Sequence, residues 1–126
     1  MQDLAIFAIA SQRTQWLAAR GSALANNIAN ADTPGFKARD VAPFETALSA
    51  AGLQMSQTKN GHIAPAGSET KNFDTVQRSS FAAKHSGNTV SLDTELMGLG
   101  DVRSQHSTVT GVVGAFHRLL LSVSKG

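Results

Sequence analysis

The chain has 126 residues, and although 41% are hydrophobic there are only six Phe, one Trp and no Tyr, which limits it to one domain with a modest core or a small module with extended ends. The formal net charge is +2, from 11 Lys+Arg against 9 Asp+Glu, with no basic run that could track phosphates, so a nucleic-acid partner is not expected. The absence of cysteine excludes disulfides, thiolate zinc sites and a Cys nucleophile.

The opening residues Met1-Gln2-Asp3 offer no cationic region, and the apolar run Leu4 to Ala10 is too short for a bilayer and poor as a secretory signal. Export, if it occurs, is expected to need no cleaved signal peptide, and no membrane insertion is expected. From Asp3 to Ala31 the residues Ile6, Ala10, Leu17, Leu24 and Ile28 recur at spacings of four or seven, the pattern of a long helix with one apolar stripe. Arg13 and Arg20 fall at the edge of that stripe, where their stems can cover apolar surface while the charges stay wet. Trp16 reads as a core or interface residue.

The string Asn26-Asn27-Ile28-Ala29-Asn30-Ala31-Asp32-Thr33-Pro34-Gly35-Phe36-Lys37 reads as a helix end followed by a sharp change of direction. Asn26, Asn27 and Asn30 sit three or four apart, so Asn30 shares a face with each of the others, and their amides suit lateral hydrogen bonding between packed helices. Pro34 disfavours helical geometry at Thr33. Pro34-Gly35 predicts a type II turn with Gly at the positive φ, and Phe36 can fold back as an apolar anchor.

The middle, residues 32–90, is turn-rich. Pro43 suits a first helical turn, with Phe44 to Ala51 as two turns closed by Gly52. Leu53 to Ser56 alternates like a short strand, Asn60-Gly61 signals a turn, and Phe73 to Arg78 reads as another strand.

The second long helical pattern runs from Leu92 to Val123. Leu92, Leu96, Leu99, Val102, Val109, Val113, Phe116, Leu120 and Val123 form its stripe, with Ser91 as N-cap and Asp93 and Glu95 as first-turn acids. Gly98, Gly100, Gly111 and Gly114 interrupt it, each costing about 1 kcal/mol relative to Ala, so this helix is expected to be firm only when packed. The fold class expected is mainly α: long N-terminal and C-terminal helices paired like a coiled coil, residues 1–31 and 91–126, around a small irregular, β-containing middle.

No catalytic chemistry is legible. His62, His85, His106 and His117 show no i,i+4 pair and no HExxH pattern, so no metal or cofactor is expected. No GxSxG elbow, GxGxxG or Walker loop is present. Asp32, Asp40 and Glu45 read as a cap, a surface charge and a first-turn acid.

The stretch from Ala31 to Ala38, with the asparagines before it, closely resembles the N-terminal signature of the flagellar axial proteins, the family of rod, hook and hook-associated subunits. Its form is most similar to the B-type group of proximal rod proteins. Gly87-Asn88-Thr89-Val90-Ser91-Leu92-Asp93-Thr94-Glu95 resembles the segment leading into that family's C-terminal helix. Two departures stand out: Phe36 where the family often has Tyr, and no aromatic near His106, where one is usual.

The resemblance implies a non-enzymatic, multi-copy structural subunit of the basal-body rod, needed for motility. It implies passage through the flagellar type III export apparatus, a periplasmic position, and contacts with other rod proteins and with the adaptor joining rod to membrane ring. The C-type proximal rod proteins come second, and a non-polymerising helical adaptor or export chaperone is the rival class. The residues expected to carry assembly are Asn26, Asn27, Asn30, Asp32, Thr33, Pro34, Gly35 and Phe36 around the turn, with Leu17, Leu24, Ile28, Val109, Val113, Phe116 and Leu120 on the helical stripes.

Overall fold

The computed structural model describes residues 2–55, 73–78 and 84–125. Two long helices dominate it: α1 (Gln2–Ala29), 28 residues, and α3 (Leu92–Ser124), 33 residues. At 1.5 Å per residue they are rods of about 42 and 50 Å. They run antiparallel, because Phe7 meets Phe116, Arg13 meets Gln105, Arg20 meets Asp101 and Asn27 meets Glu95, one number falling as the other rises. The middle contributes β1 (Arg39–Val41), α2 (Phe44–Met55) and β2 (Thr75–Gln77). The two strands pair antiparallel, with Asp40 opposite Val76. The expected mainly helical fold with paired terminal helices is therefore observed. The turn expected at Asn60-Gly61, and His62, lie outside the described residues.

The small β1–β2 ribbon and the start of α2 cover one side of the α1/α3 hairpin. Beneath them lies a core of Trp16, Leu17 and Val41, with Ala19, Ala23, Phe44, Ala47, Phe73, Val102 and Val109 packed around it. Trp16 lies edge-on to Phe44, ring centroids 6.0 Å apart, and its Nε1 donates to the Ala42 carbonyl at 2.8 Å, so its polar tip is satisfied. The Arg13 guanidinium stacks 4.7 Å from the Trp16 ring centroid and 4.8 Å from that of Phe44.

Several expectations need correction. Gly52 does not close α2, and the strand expected at Leu53 to Ser56 is helix through Met55. Leu, Gln and Met are good helix formers, and one glycine costs too little to stop a helix that they continue. Ile6 is 40% exposed rather than buried, and Phe7 makes the contact across the hairpin. On α3, Leu92, Leu96 and Val123 are exposed, while Glu95 is 1% exposed and faces α1. The face toward α1 follows Glu95, Gly98, Val102, Gln105 and Val109, alternating steps of three and four. A stripe drawn from apolar residues alone cannot include a glutamate or a glutamine. Ser91 holds the N-cap position with extended backbone, but its side chain makes no capping hydrogen bond.

The glycines of α3 divide by environment. A Cβ on Gly98 would meet the Leu24 methyls at 3.1 and 3.3 Å, so the absence of a side chain lets the two helices approach there. Gly100 and Gly111 face open space. Alanine at Gly100 or Gly111 is expected to stabilise by up to about 1 kcal/mol each. Gly98→Val, by contrast, is expected to destabilise by about 1–3 kcal/mol through overpacking against Leu24. Thermal unfolding of the three variants checks the contrast; equal effects at all three positions would remove the close-approach role of Gly98.

Candidate functional site

The closed end of the hairpin is where the two motif strings meet. α1 tightens as it ends: Ala31 N donates to Ile28 O at 3.1 Å and Thr33 N to Asn30 O at 3.0 Å, both i to i+3 bonds. The chain then turns at Pro34-Gly35, with Gly35 at φ +73° and Phe36 N donating to Thr33 O at 3.3 Å, the turn expected from the sequence.

The carbonyls left at this helix end are held by Asn88, which is 1% exposed. Its Nδ2 donates to the carbonyls of Asn30, Ala31 and Thr33 at 2.9, 3.0 and 2.8 Å. Its Oδ1 accepts from Val90 N at 2.7 Å. Backbone bonds stitch the same two strings, Gly35 N to Ser86 O at 2.9 Å and Thr89 N to Phe36 O at 3.0 Å. Ala38 N donates to Thr89 Oγ1 at 2.9 Å, and Lys37 Nζ to Gly87 O at 2.9 Å. Gly87, itself at φ +77°, backs directly onto Gly35.

Beside this lock lies a buried polar relay. Asn27 is 1% exposed; its Oδ1 accepts from Arg39 N at 3.0 Å, and its Nδ2 donates to Arg39 O at 2.7 Å and to Glu95 Oε2 at 3.0 Å. Glu95 Oε1 accepts from Arg78 Nη1 at 2.7 Å, and Asp40 Oδ2 from Arg78 Nη2 at 2.7 Å. Asp40 Oδ1 pairs with Arg20 at 3.3 Å, and Arg20 pairs with Asp101 at 3.2 Å. Gln105 then bridges Asp101 and Arg13. Charges alternate in sign along the chain, so each carboxylate has a cation beside it. Asp40, read from sequence as a surface charge, is thus the centre of the relay, and Arg20 is engaged rather than wet. The Arg78–Glu95 pair matters most, because Glu95 is fully withdrawn from water. Arg20–Asp101 is half exposed and contributes little. Among the described residues no buried polar side-chain atom lacks a partner, and no three His, Asp or Glu side chains cluster as metal ligands.

The sequence-derived assembly residues fall into separate groups. Leu17, Leu24 and Asn27 are buried inside the hairpin. Asn26 accepts from Asn30 Nδ2 at both its carbonyl and its Oδ1, and Asn30 Oδ1 accepts from Thr33 Oγ1. Asn26, Asp32, Thr33, Pro34 and Gly35 are exposed at the closed end, with Ile28 and Phe36 half-buried. Val109, Val113, Phe116 and Leu120 are half-buried along α3 toward the open end. There Ile9, Val112, Leu119, Leu121 and Val123 are exposed. The residues missed were Asn88, Glu95 and Arg78. Asn88 was already inside the second motif string, and Glu95 sits in step with Val102 and Val109 at seven-residue intervals. No local signal marks Arg78.

The hairpin is an elongated two-helix scaffold. Its polar side chains at the closed end are committed to one another, and its apolar side chains at the open end are left outward. Those are the features of a helical building block for an assembly. The family described as Flagella basal body rod protein matches at residues 9–37, most of α1 and the turn after it. A flagellar basal body rod protein FlgB of Agrobacterium fabrum is 34% identical over 99% of this chain and 96% of its own length. Proteins of the same name from Yersinia enterocolitica and Salmonella typhimurium are 33% and 30% identical over 84% and 86% of this chain, and 83% and 85% of their own. The chain belongs to the flagellar basal body rod proteins, a family of structural subunits rather than enzymes. Among the described residues no helix is long and apolar enough to cross a membrane.

Proposed function

We propose that this chain is a structural subunit of the proximal rod, the part of the flagellar drive shaft nearest the membrane ring, and that it polymerises through its two terminal helices. The relatives with near-full-length similarity all carry the B-type rod name, which favours this over a C-type subunit or a non-polymerising adaptor or chaperone. The observation that carries the reading is the hairpin itself. Antiparallel terminal helices make a stiff rod, and the open end still exposes apolar side chains for neighbours to cover. The exposed turn residues Asn26, Asp32, Thr33, Pro34 and Gly35, and the stripe of Val109, Val113, Phe116 and Leu120, are the proposed contact surfaces. On this reading the subunit lies in the periplasm, reached through the type III export apparatus, with other rod proteins and the ring adaptor as neighbours.

Imaging basal bodies from a strain lacking this gene tests the reading. The rod should be missing and swimming abolished, both restored by the gene in trans; intact rods in the deletion strain would overturn it. The turn gives a sharper prediction. Pro34-Gly35 replaced by Ala-Ala puts an L side chain at φ +73°, at a cost of about 1–2 kcal/mol, and lifts the block on helix at Thr33. Incorporation into basal bodies is expected to fall about tenfold, the equilibrium equivalent of that strain. Normal motility in the variant would show the turn to be dispensable.

A further inference from the structure

A groove of about 320 Å³ lies on the seam between α1 and α3. Leu17, Ala18 and Gly21 line it from α1, and Leu99, Arg103 and His106 from α3. The small residues let another chain come close, and the two basic side chains stand at one edge. One to two turns earlier on α3 lies a ridge of different character. Met97 is 77% exposed and Leu96 53% exposed, with Asp93 exposed beside them. Asp93 and Met97 lie two residues either side of Glu95, about 200° around the helix from it, so they project away from α1.

We propose that the Asp93–Leu96–Met97 ridge of one subunit seats in the α1/α3 groove of a second copy, with Asp93 facing Arg103. The inference rests on the reading of this chain as a polymerising rod subunit and names the surface it would use. Charge selects the occupant. Every acid on α3, Asp93, Glu95 and Asp101, precedes every base, from Arg103 to Arg118. Glu95 and Asp101 are engaged by Arg78 and Arg20. Among the described residues Asp93 and Arg103 have no ion-pair partner. They stand ten residues apart, about 15 Å along one helix, so they cannot meet within a copy. Two parallel copies staggered by that distance bring them together and lay the Met97 ridge over the groove. Ridge and groove are different surfaces, so the contact is heterologous and repeats from copy to copy as an open helical series.

The chain has no cysteine of its own, which makes cross-linking clean. Met97→Cys with Ser107→Cys, the positions that the ten-residue stagger brings opposite each other, places thiols about 15 Å apart on one helix, beyond disulfide reach within a subunit. Oxidation of basal bodies carrying this variant should give a ladder of dimers, trimers and higher species, and neither single variant should give one. Dimers alone, cross-links only to a different rod protein, or no cross-link in basal bodies that contain the variant would overturn the proposal. If the double-cysteine variant does not enter basal bodies, charge exchange decides. Asp93→Arg and Arg103→Asp should each lower incorporation about fivefold, the size of one exposed ion pair, and the combined exchange should restore it. A double exchange no better than the single ones would also overturn the proposal. Absence of the wild-type chain from basal bodies would overturn the rod reading beneath it, and is scored separately.

Discussion

Arg78→Met should destabilise the protein by about 3 kcal/mol or more, because it strands the Glu95 carboxylate without its cation. Glu95 is 1% exposed, and its only other side-chain partner among the described residues is the Asn27 amide at 3.0 Å. An amide satisfies one oxygen but not the charge. Arg78 itself retains 28% side-chain exposure, which places the expected cost toward the lower end for a broken buried pair. Asp40 keeps Arg20, so the second carboxylate that Arg78 serves is not stranded. For a chain of this size the loss corresponds to a fall in Tm of about 10 °C. The companion variant settles the cause. Adding Glu95→Gln to Arg78→Met removes the buried charge and should recover most of the loss, whereas Glu95→Gln alone should weaken the wild type. Additive losses in the double variant would mean that Arg78 acts through packing or through Asp40, and not as the counter-ion of Glu95. The consequence reaches assembly. Arg78 follows β2 in the middle segment and Glu95 lies on a terminal helix, so docking of the ribbon is coupled to closure of the hairpin.

Asn88→Asp is the second large effect expected, at about 3 kcal/mol or more, from a change of one nitrogen to oxygen. The wild-type Nδ2 faces three carbonyl oxygens within 3.0 Å, at a site 1% exposed. Aspartate has the same shape, but sets a charged acceptor against those carbonyls where the amide set a donor. Val90 N keeps its side-chain acceptor in the aspartate variant. Asn88→Ala removes the amide without adding charge and should cost less, about 1–3 kcal/mol, chiefly by stranding the buried Val90 N–H, since the Asn30 and Thr33 carbonyls keep their backbone donors. Urea unfolding of the pair checks the order. If alanine proves worse than aspartate, the site holds by volume and not by hydrogen bonding. Because Asn88 ties the end of α1 to the entry of α3, both variants should also loosen the Pro34-Gly35 turn, and protease cleavage there should rise in the same order.

The two helices were legible because their signal is periodic and long. Leu17, Leu24 and Ile28 on one side, and Val102, Val109, Val113 and Phe116 on the other, repeat with the helical period over many turns. The turn at Pro34-Gly35 was legible because both residue types restrict the backbone locally. Short elements fared differently. Phe73 to Arg78 reads as a strand and contains β2, while Leu53 to Ser56 reads as a strand and is helix through Met55, since four residues of alternation fit either state. The asparagines were recognised as polar groups at a helix end. That Asn27 would turn inward to Arg39 and Glu95, while Asn26 and Asn30 bond each other outside, depends on which face the ribbon covers.

Sequence by itself therefore determined the two-helix architecture, the turn between motif strings and the kinship with rod proteins, because each is written in spacing or in residue types with strong local preferences. Only the tertiary structure decided that Glu95 is a buried ion, that Asp40 centres a relay of Arg20 and Arg78, and that Asn88 caps a helix more than fifty positions away in the chain. Those contacts join segments far apart in sequence, and a charged or amide side chain becomes a structural lock only when folding removes the water that would otherwise solvate it.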